Sequence, residues 1–251
     1  MRYRPNSESR NPESAALEGI PLAYRAYDDS ARRRLFHYLL VPACLVLLAA
    51  AALPLDLPLS QACLNAKLPG DIKDLITFGE MFGHGLGVAM IAIVVFVLDP
   101  PRRYALPRVL LCAYGSGMAA NAVKLLLTRT RPRHFEFDGG VMTTFVEWFP
   151  QLTISPVHQG FPSAHTATAV GFAVGLAALY PRGRILFGVL AAVVACQRIQ
   201  SGAHFLSDTL CGVAVGWLIA GACLYVGRLP RWLDRLEIRL GASNPAEAHS
   251  A

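Results

Sequence analysis

Apolar residues run along this chain in six blocks separated by short polar breaks. The blocks lie at about Leu35–Leu53, Gly83–Leu98, Tyr104–Leu127, Ser163–Tyr180, Ile185–Gln200 and Ser207–Val226. An apolar run of about 20 residues, wound as a helix, matches the hydrocarbon core of a bilayer. The pattern therefore predicts an all-α fold, a bundle of six transmembrane helices. The alanines at 49–52 also suit the end of a signal peptide, but the long polar leader favours an uncleaved helix. Between the first two blocks, residues 54–82 are mixed, and 71–78 predict a short amphipathic helix at the membrane interface. Asp99-Pro-Pro-Arg-Arg and Pro181-Arg-Gly-Arg are tight basic turns. Residues 133–161 form a long loop carrying Phe135, Phe137, Phe145, Trp148, Phe149 and Phe161, a density of interfacial aromatics that suits a lid or a lipid-contacting surface. The division that follows is a polar tail over 1–34, a six-helix membrane domain over 35–226 and a basic segment over 227–251.

Composition agrees with the pattern. The chain is 54% hydrophobic and 16% charged, with a mean hydropathy of +0.40, too apolar for an ordinary soluble domain. Its net charge of +6 informs orientation rather than partners. The arginines flank apolar blocks instead of forming one basic surface, which argues against nucleic acid. The six cysteines form no CxxC pair and read as small core residues, with Cys63 in a connecting loop.

Six spans put both termini on one side, and the positive-inside rule makes that side cytoplasmic. Arginines of the N-terminal tail, of the 102–108 and 182–184 turns and of the C-terminal stretch all fall there. Lys124, Arg129, Arg131 and Arg133 fall on the outer side, where binding an anion would explain them. The outer ends of spans three to six then converge, bearing Lys124 and Arg131, Ser163 and His165, Arg198, and His204 with Asp208.

Each part has a bland reading beside a chemical one. Lys124 and Arg131 are seven apart, two helical turns if the helix runs on to Pro132; either they face one anion or they snorkel at a boundary. Ser163 stands where loop becomes helix, either as an N-cap or as part of an anion site made by free N–H groups. If the end of the stretch is helical, His204 and Asp208 lie one turn apart, either as a capping pair or as a nucleophile with its orienting carboxylate. Arg198 adds a forked cation suited to phosphate oxygens. No cluster of His or carboxylates shows metal-ligand spacing.

Lys124-x6-Arg131-Pro132, Pro162-Ser163-Ala164-His165 and Gln197-Arg198-x5-His204-x3-Asp208 resemble the three motifs of the type 2 phosphatidic acid phosphatase (PAP2) superfamily, in order, over about residues 83–226. Ala164 stands where that family has Gly, and Gln197 where it has Ser. The resemblance implies a membrane phosphatase that needs no cofactor or metal. In it His204 attacks phosphorus and forms a phosphohistidine, Asp208 orients His204, and His165 serves as acid and base. Lys124, Arg131, Ser163, the Ala164 N–H and Arg198 hold the phosphate. The implied partners are membrane lipids and a lipid phosphate or pyrophosphate substrate at the outer face of a bacterial-type inner membrane. The alternatives are the same fold acting on a soluble phosphate ester, and an anion-binding or transport protein without chemistry. The family's vanadate-dependent haloperoxidases fit poorly, because they are soluble.

Overall fold

A computed structural model describes residues 31–66, 68–149, 155–226 and 228–242. The tail up to residue 30 and the end from 243 lie outside the described residues. Each of the six apolar blocks contains a helix. α1 spans Ala31–Asn65, α2 Gly70–Gly79, α3 Gly85–Leu98 and α4 Leu106–Lys124. α5 spans Ala164–Leu179, α6 Arg184–Gln200, α7 Leu206–Leu224 and α8 Leu229–Arg239.

By length and hydropathy, the stretches Tyr38–Asn65, Pro181–Gln200 and Leu206–Leu224 each suffice to cross a membrane. Residues 70–83 and 85–98 qualify as a pair, bent by 72° between them. α5 has 16 residues, about 24 Å of helix. It sits at the centre instead of facing lipid, packed against α4, α6 and α7. Its Phe172 and Leu176 are buried in one core with Val88, Val109, Cys112 and Val194 of the surrounding helices. Leucines and isoleucines on the outer faces of α1, α3 and α6 are exposed, as a hydrocarbon surround permits.

Small residues let the helices approach. Ser116 is buried and donates to the Cys112 carbonyl at 2.6 Å. A Cβ on Gly117 would collide with Thr168 Oγ1, and one on Gly171 with the Cys112 carbonyl. Close contact through Gly and Ser is the usual way for helices to pack in lipid.

The structure departs from the sequence expectations at several places. α1 continues twelve residues past the expected end near Leu53, through Pro54 and Pro58, to Asn65. Packing along α7 holds the extra turns: the Asp56 carboxylate accepts hydrogen bonds from the Ser207 N–H at 3.0 Å and its hydroxyl at 2.5 Å. Cys63 thus lies in helix, not loop. The expected interfacial helix is α2, which has no buried residue. The helix expected to carry both Lys124 and Arg131 ends at Lys124. Leu127–Arg129 forms a strand, β1, antiparallel to β2 (Phe145–Trp148), with Leu127 opposite Trp148. Among the described residues the fold is therefore helical apart from this hairpin and an isolated bridge between Arg129 and Gln159.

A buried ion cluster joins α8 to the end of α4 opposite the hairpin. Arg108, fully buried, donates to Glu237 at 2.6 Å, to Asp234 at 2.6 Å and to the Cys223 and Pro230 carbonyls. All six cysteines are free thiols.

Candidate active site

α4 ends, α5 begins, α6 ends and α7 begins at one end of the bundle, so the three motifs meet there. Lys124 is the last residue of α4, and Ser163 caps α5 with Ala164 and His165 in its first turn. Arg198 lies in the last turn of α6 and Asp208 in the first turn of α7. His204 lies in the turn between α6 and α7.

Backbone hydrogen bonds lock these segments together. The Ala203 and His204 N–H groups both donate to the Arg198 carbonyl at 3.1 Å. Ser163 N–H donates to the Asp208 carbonyl at 3.1 Å, and Gly160 N–H to the Arg129 carbonyl at 2.8 Å. Arg131 N–H donates to Val157, and Arg133 N–H to Gly202. Gly202 has φ +63°, the left-handed region that glycine enters without steric cost, and a Cβ there would lie 2.7 Å from Leu64. A Cβ on Gly212 would lie 2.6 Å from the Ser163 carbonyl, so only glycine lets α7 approach the start of α5 this closely.

His204 is 3% exposed, and its Nδ1 stands 2.6 Å from the Gly160 carbonyl oxygen. A carbonyl can only accept, so Nδ1 must carry the proton and Nε2 the lone pair. Burial pushes the imidazole pKa well below its ordinary value, and the charges of Lys124, Arg131 and Arg198 push the same way; only the Gly160 contact opposes them. His204 is thus a neutral imidazole with Nε2 free, amid three cations.

The expected His204–Asp208 pair is not formed. His204 precedes α7, so the two do not share a helix face, and the Gly160 carbonyl takes the orienting position. Asp208 instead accepts from the Phe205 N–H at 2.7 Å and from Arg129 Nη1 at 2.6 Å. Arg129, expected among the outer cations that bind an anion, is fully buried and already neutralised. Its Nη2 donates to Asp56 at 2.8 Å, Nη1 also to Ser207 at 2.8 Å, and Nε to Thr144 at 2.9 Å. Its guanidinium lies between the Phe145 and Phe205 rings, 4.4 and 4.2 Å from their centroids.

The other cations keep donors free. Lys124 is buried, and its ammonium group makes no hydrogen bond or ion pair with a described residue. Arg131 reaches the site from beyond β1, not from α4, and its Nε is buried without a partner. Arg198 Nε donates to Gln197. Ser163 Oγ accepts from the Thr166 N–H and hydroxyl at 3.4 and 2.9 Å, so it serves as the N-cap while its own proton stays available. His84 caps α3, accepting from Leu86 N–H at 3.3 Å, and its ring lies 5.7 Å from that of His165. Among the described residues, no group of three His, Cys, Asp or Glu could hold a metal ion.

One acidic residue enters the site unannounced by any motif. Glu80, in the single 3₁₀ turn between α2 and α3, pairs with Arg198 Nη2 at 2.5 Å and stands 3.4 Å from His165 Nε2. Two clefts flank the site. One of about 260 Å³ is lined by His84, Tyr114, Asn121, His165 and Thr168. The other, about 510 Å³ and almost wholly apolar, lies between α1 and the hairpin, bounded by Leu53, Phe145, Trp148 and Phe161.

The chain is 35% identical over 101 residues to lipid A 1-phosphatases of Rhizobium etli and Rhizobium johnstonii. The shared stretch covers 40% of this chain and 41% and 39% of those proteins, so the match spans about two-fifths of the relatives' length. The solved structure of a transmembrane PAP2-type phosphatidylglycerolphosphate phosphatase from Bacillus subtilis shares the fold, with a TM-score of 0.54 and 20% identity over 73% of this chain and 92% of that one. The PAP2 superfamily pattern matches residues 105–232, just over half of the sequence and all three motifs. With its motif residues gathered at one end of a helical bundle of the same fold, this chain belongs to the PAP2 superfamily.

Proposed function

We infer that this protein is an integral membrane phosphatase that hydrolyses a lipid phosphate through a phosphohistidine. The observation that carries the reading is His204: neutral, buried, its Nδ1 committed to Gly160 and its Nε2 free among Lys124, Arg131 and Arg198. A protein that merely bound anions would gain nothing from such a nucleophile. His204 Nε2 bonds to phosphorus as the P–O bond to the lipid breaks, and the leaving oxygen takes its proton from His165. Water then attacks phosphorus and gives a proton to His165. The P–N bond breaks, and inorganic phosphate leaves with His204 neutral again. The three cations, Ser163 and the N–H groups at the start of α5 stabilise charge on the equatorial oxygens.

Lipid is favoured over a soluble ester by the apolar cleft beside the site and by the exposed apolar faces of the bundle, which put a substrate's phosphate at headgroup level and its chains in hydrocarbon. The Rhizobium relatives, named for lipid A, make a lipid A phosphate the first substrate to try. The placement is the inner membrane, both termini cytoplasmic and the site facing outward, by the distribution of arginines.

The test is phosphate release by detergent-purified protein in EDTA. The panel is lipid A, phosphatidic acid, phosphatidylglycerol phosphate, undecaprenyl pyrophosphate and an aryl phosphate, each against His204→Ala. Release from a lipid that vanishes in the variant is expected. Full turnover by His204→Ala would overturn the mechanism, and release from the aryl phosphate alone would overturn the substrate class.

A further inference from the structure

Glu80 lies outside the three motifs and outside the stretch that matches the family, yet its carboxylate spans two residues of the site. On the phosphatase reading, Arg198 holds the phosphate and His165 protonates the leaving oxygen. Arg198 commits Nε to Gln197 and Nη2 to Glu80, and its Nη1 makes no hydrogen bond with a described residue. A phosphate oxygen can therefore take Nη1 while Glu80 remains on Nη2. The group attached to the leaving oxygen then emerges beside the carboxylate.

The fold holds Glu80 there. Its 3₁₀ turn ends at Gly83, where a Cβ would lie 2.6 Å from the His165 carbonyl and 2.8 Å from Val194. Only a glycine lets this turn press against the first turn of α5. Phe82, in the same turn, is buried against Phe172 with ring centroids 5.1 Å apart, which fixes its depth.

We propose that Glu80 is a specificity-determining residue that selects phosphate monoesters over pyrophosphates and favours leaving groups that carry hydroxyls. The reasoning rests on the phosphatase reading. A pyrophosphate substrate puts a second anionic phosphate on the leaving oxygen, directly against a carboxylate in a partly buried site, where like charges repel far more strongly than in water. A sugar or glycerol hydroxyl at the same place donates a charge-assisted hydrogen bond to it.

A matched pair of substrates isolates the effect: farnesyl phosphate and farnesyl pyrophosphate, the same chain with one phosphate or two. kcat/KM is measured for both with wild type, Glu80→Gln and Glu80→Ala, with thermal unfolding recorded alongside. Wild type is expected to prefer the monophosphate, and Glu80→Gln, which keeps shape and removes charge, to shift the ratio about tenfold or more toward pyrophosphate. A ratio that stays within about twofold of wild type in both folded variants, or moves toward the monophosphate, overturns the proposal. If wild type releases no phosphate from any lipid, it is the phosphatase reading that fails. Titration calorimetry with inorganic phosphate and pyrophosphate then decides the role of Glu80: the Gln variant must tighten pyrophosphate more than phosphate, and equal changes overturn it.

Discussion

Replacing Arg129 with Met tests whether the buried cluster at the hairpin holds the site. One guanidinium faces two carboxylates, Asp56 and Asp208, all three fully buried. Met fits between Phe145 and Phe205 but leaves both carboxylates without a cation. Stranding one member of a buried pair costs about 3–5 kcal/mol. Stranding two approaches the whole stability of a domain, about 5–15 kcal/mol, so Arg129→Met is expected to lose its cooperative unfolding transition. Asp56→Asn is different, because Arg129 keeps Asp208. The amide nitrogen that replaces Oδ2 can accept neither from Arg129 Nη2 nor from the Ser207 hydroxyl; the hydroxyl can turn to accept from it, so the net loss is the hydrogen bond to the charged group, about 1.5–3 kcal/mol, or about 3–12 °C in melting temperature. The combination Asp56→Asn with Arg129→Met strands one carboxylate instead of two and is expected to be more stable than Arg129→Met alone. Tryptophan fluorescence during heating in detergent reads all three. An Arg129→Met protein melting within about 2 °C of wild type, or a double variant no better than it, would refute the charge count.

Other expectations follow from single residues. Because the His204 pKa is depressed, the unfolded chain takes up a proton below about pH 6.5 that the folded protein refuses. Stability contributed by this group is present above that pH and falls as pH falls toward the folded pKa; His204→Asn should flatten the slope of melting temperature between pH 7 and 5. For the same reason, the acid limb of kcat/KM set by the nucleophile should lie below the ordinary imidazole range, and a limb at or above it would contradict the assignment. Arg108→Met breaks the buried pair with Glu237 and should cost about 3–5 kcal/mol, read as melting temperature and as faster proteolysis at α8. Gly212→Ala forces α7 away from the Ser163 carbonyl and should lower turnover more than stability, which phosphate release and melting of the same sample compare.

The membrane helices were legible because hydrocarbon imposes a long apolar run that sequence displays directly. The motif residues were legible because topology brings the ends of α4 and α6 to the starts of α5 and α7. What stayed hidden depends on contacts remote in sequence. Asp56 reads as an isolated acid between two prolines until Arg129 reaches it, and Glu80 as one more polar residue in a mixed stretch. The Asp208–His204 spacing suggested a pair because a period of four is helical, but the turn at Gly202 ends α6 before His204 and α7 starts after it. Lys124 and Arg131 suggested one helix for a similar reason; Leu127-Thr128-Arg129 instead pairs as strand, which lets Arg129 turn inward.

The pairing of Asp56 with residues far along the chain bears on how the protein is made. α1 leaves the ribosome carrying a carboxylate whose cation is 73 residues away, and whose second partner, Ser207, is 151 residues away. Until α7 has been synthesised, Asp56 has no place among its final neighbours, and an acid within an inserting helix carries a penalty that is greatest at the bilayer centre and smaller toward the end of the bundle where Asp56 lies. The leucines and alanines around it must carry α1 into the bilayer against that penalty. Assembly therefore finishes late, when the last spanning helix closes the cluster and the catalytic turn in the same step, so an incompletely synthesised chain has neither a satisfied α1 nor a formed site.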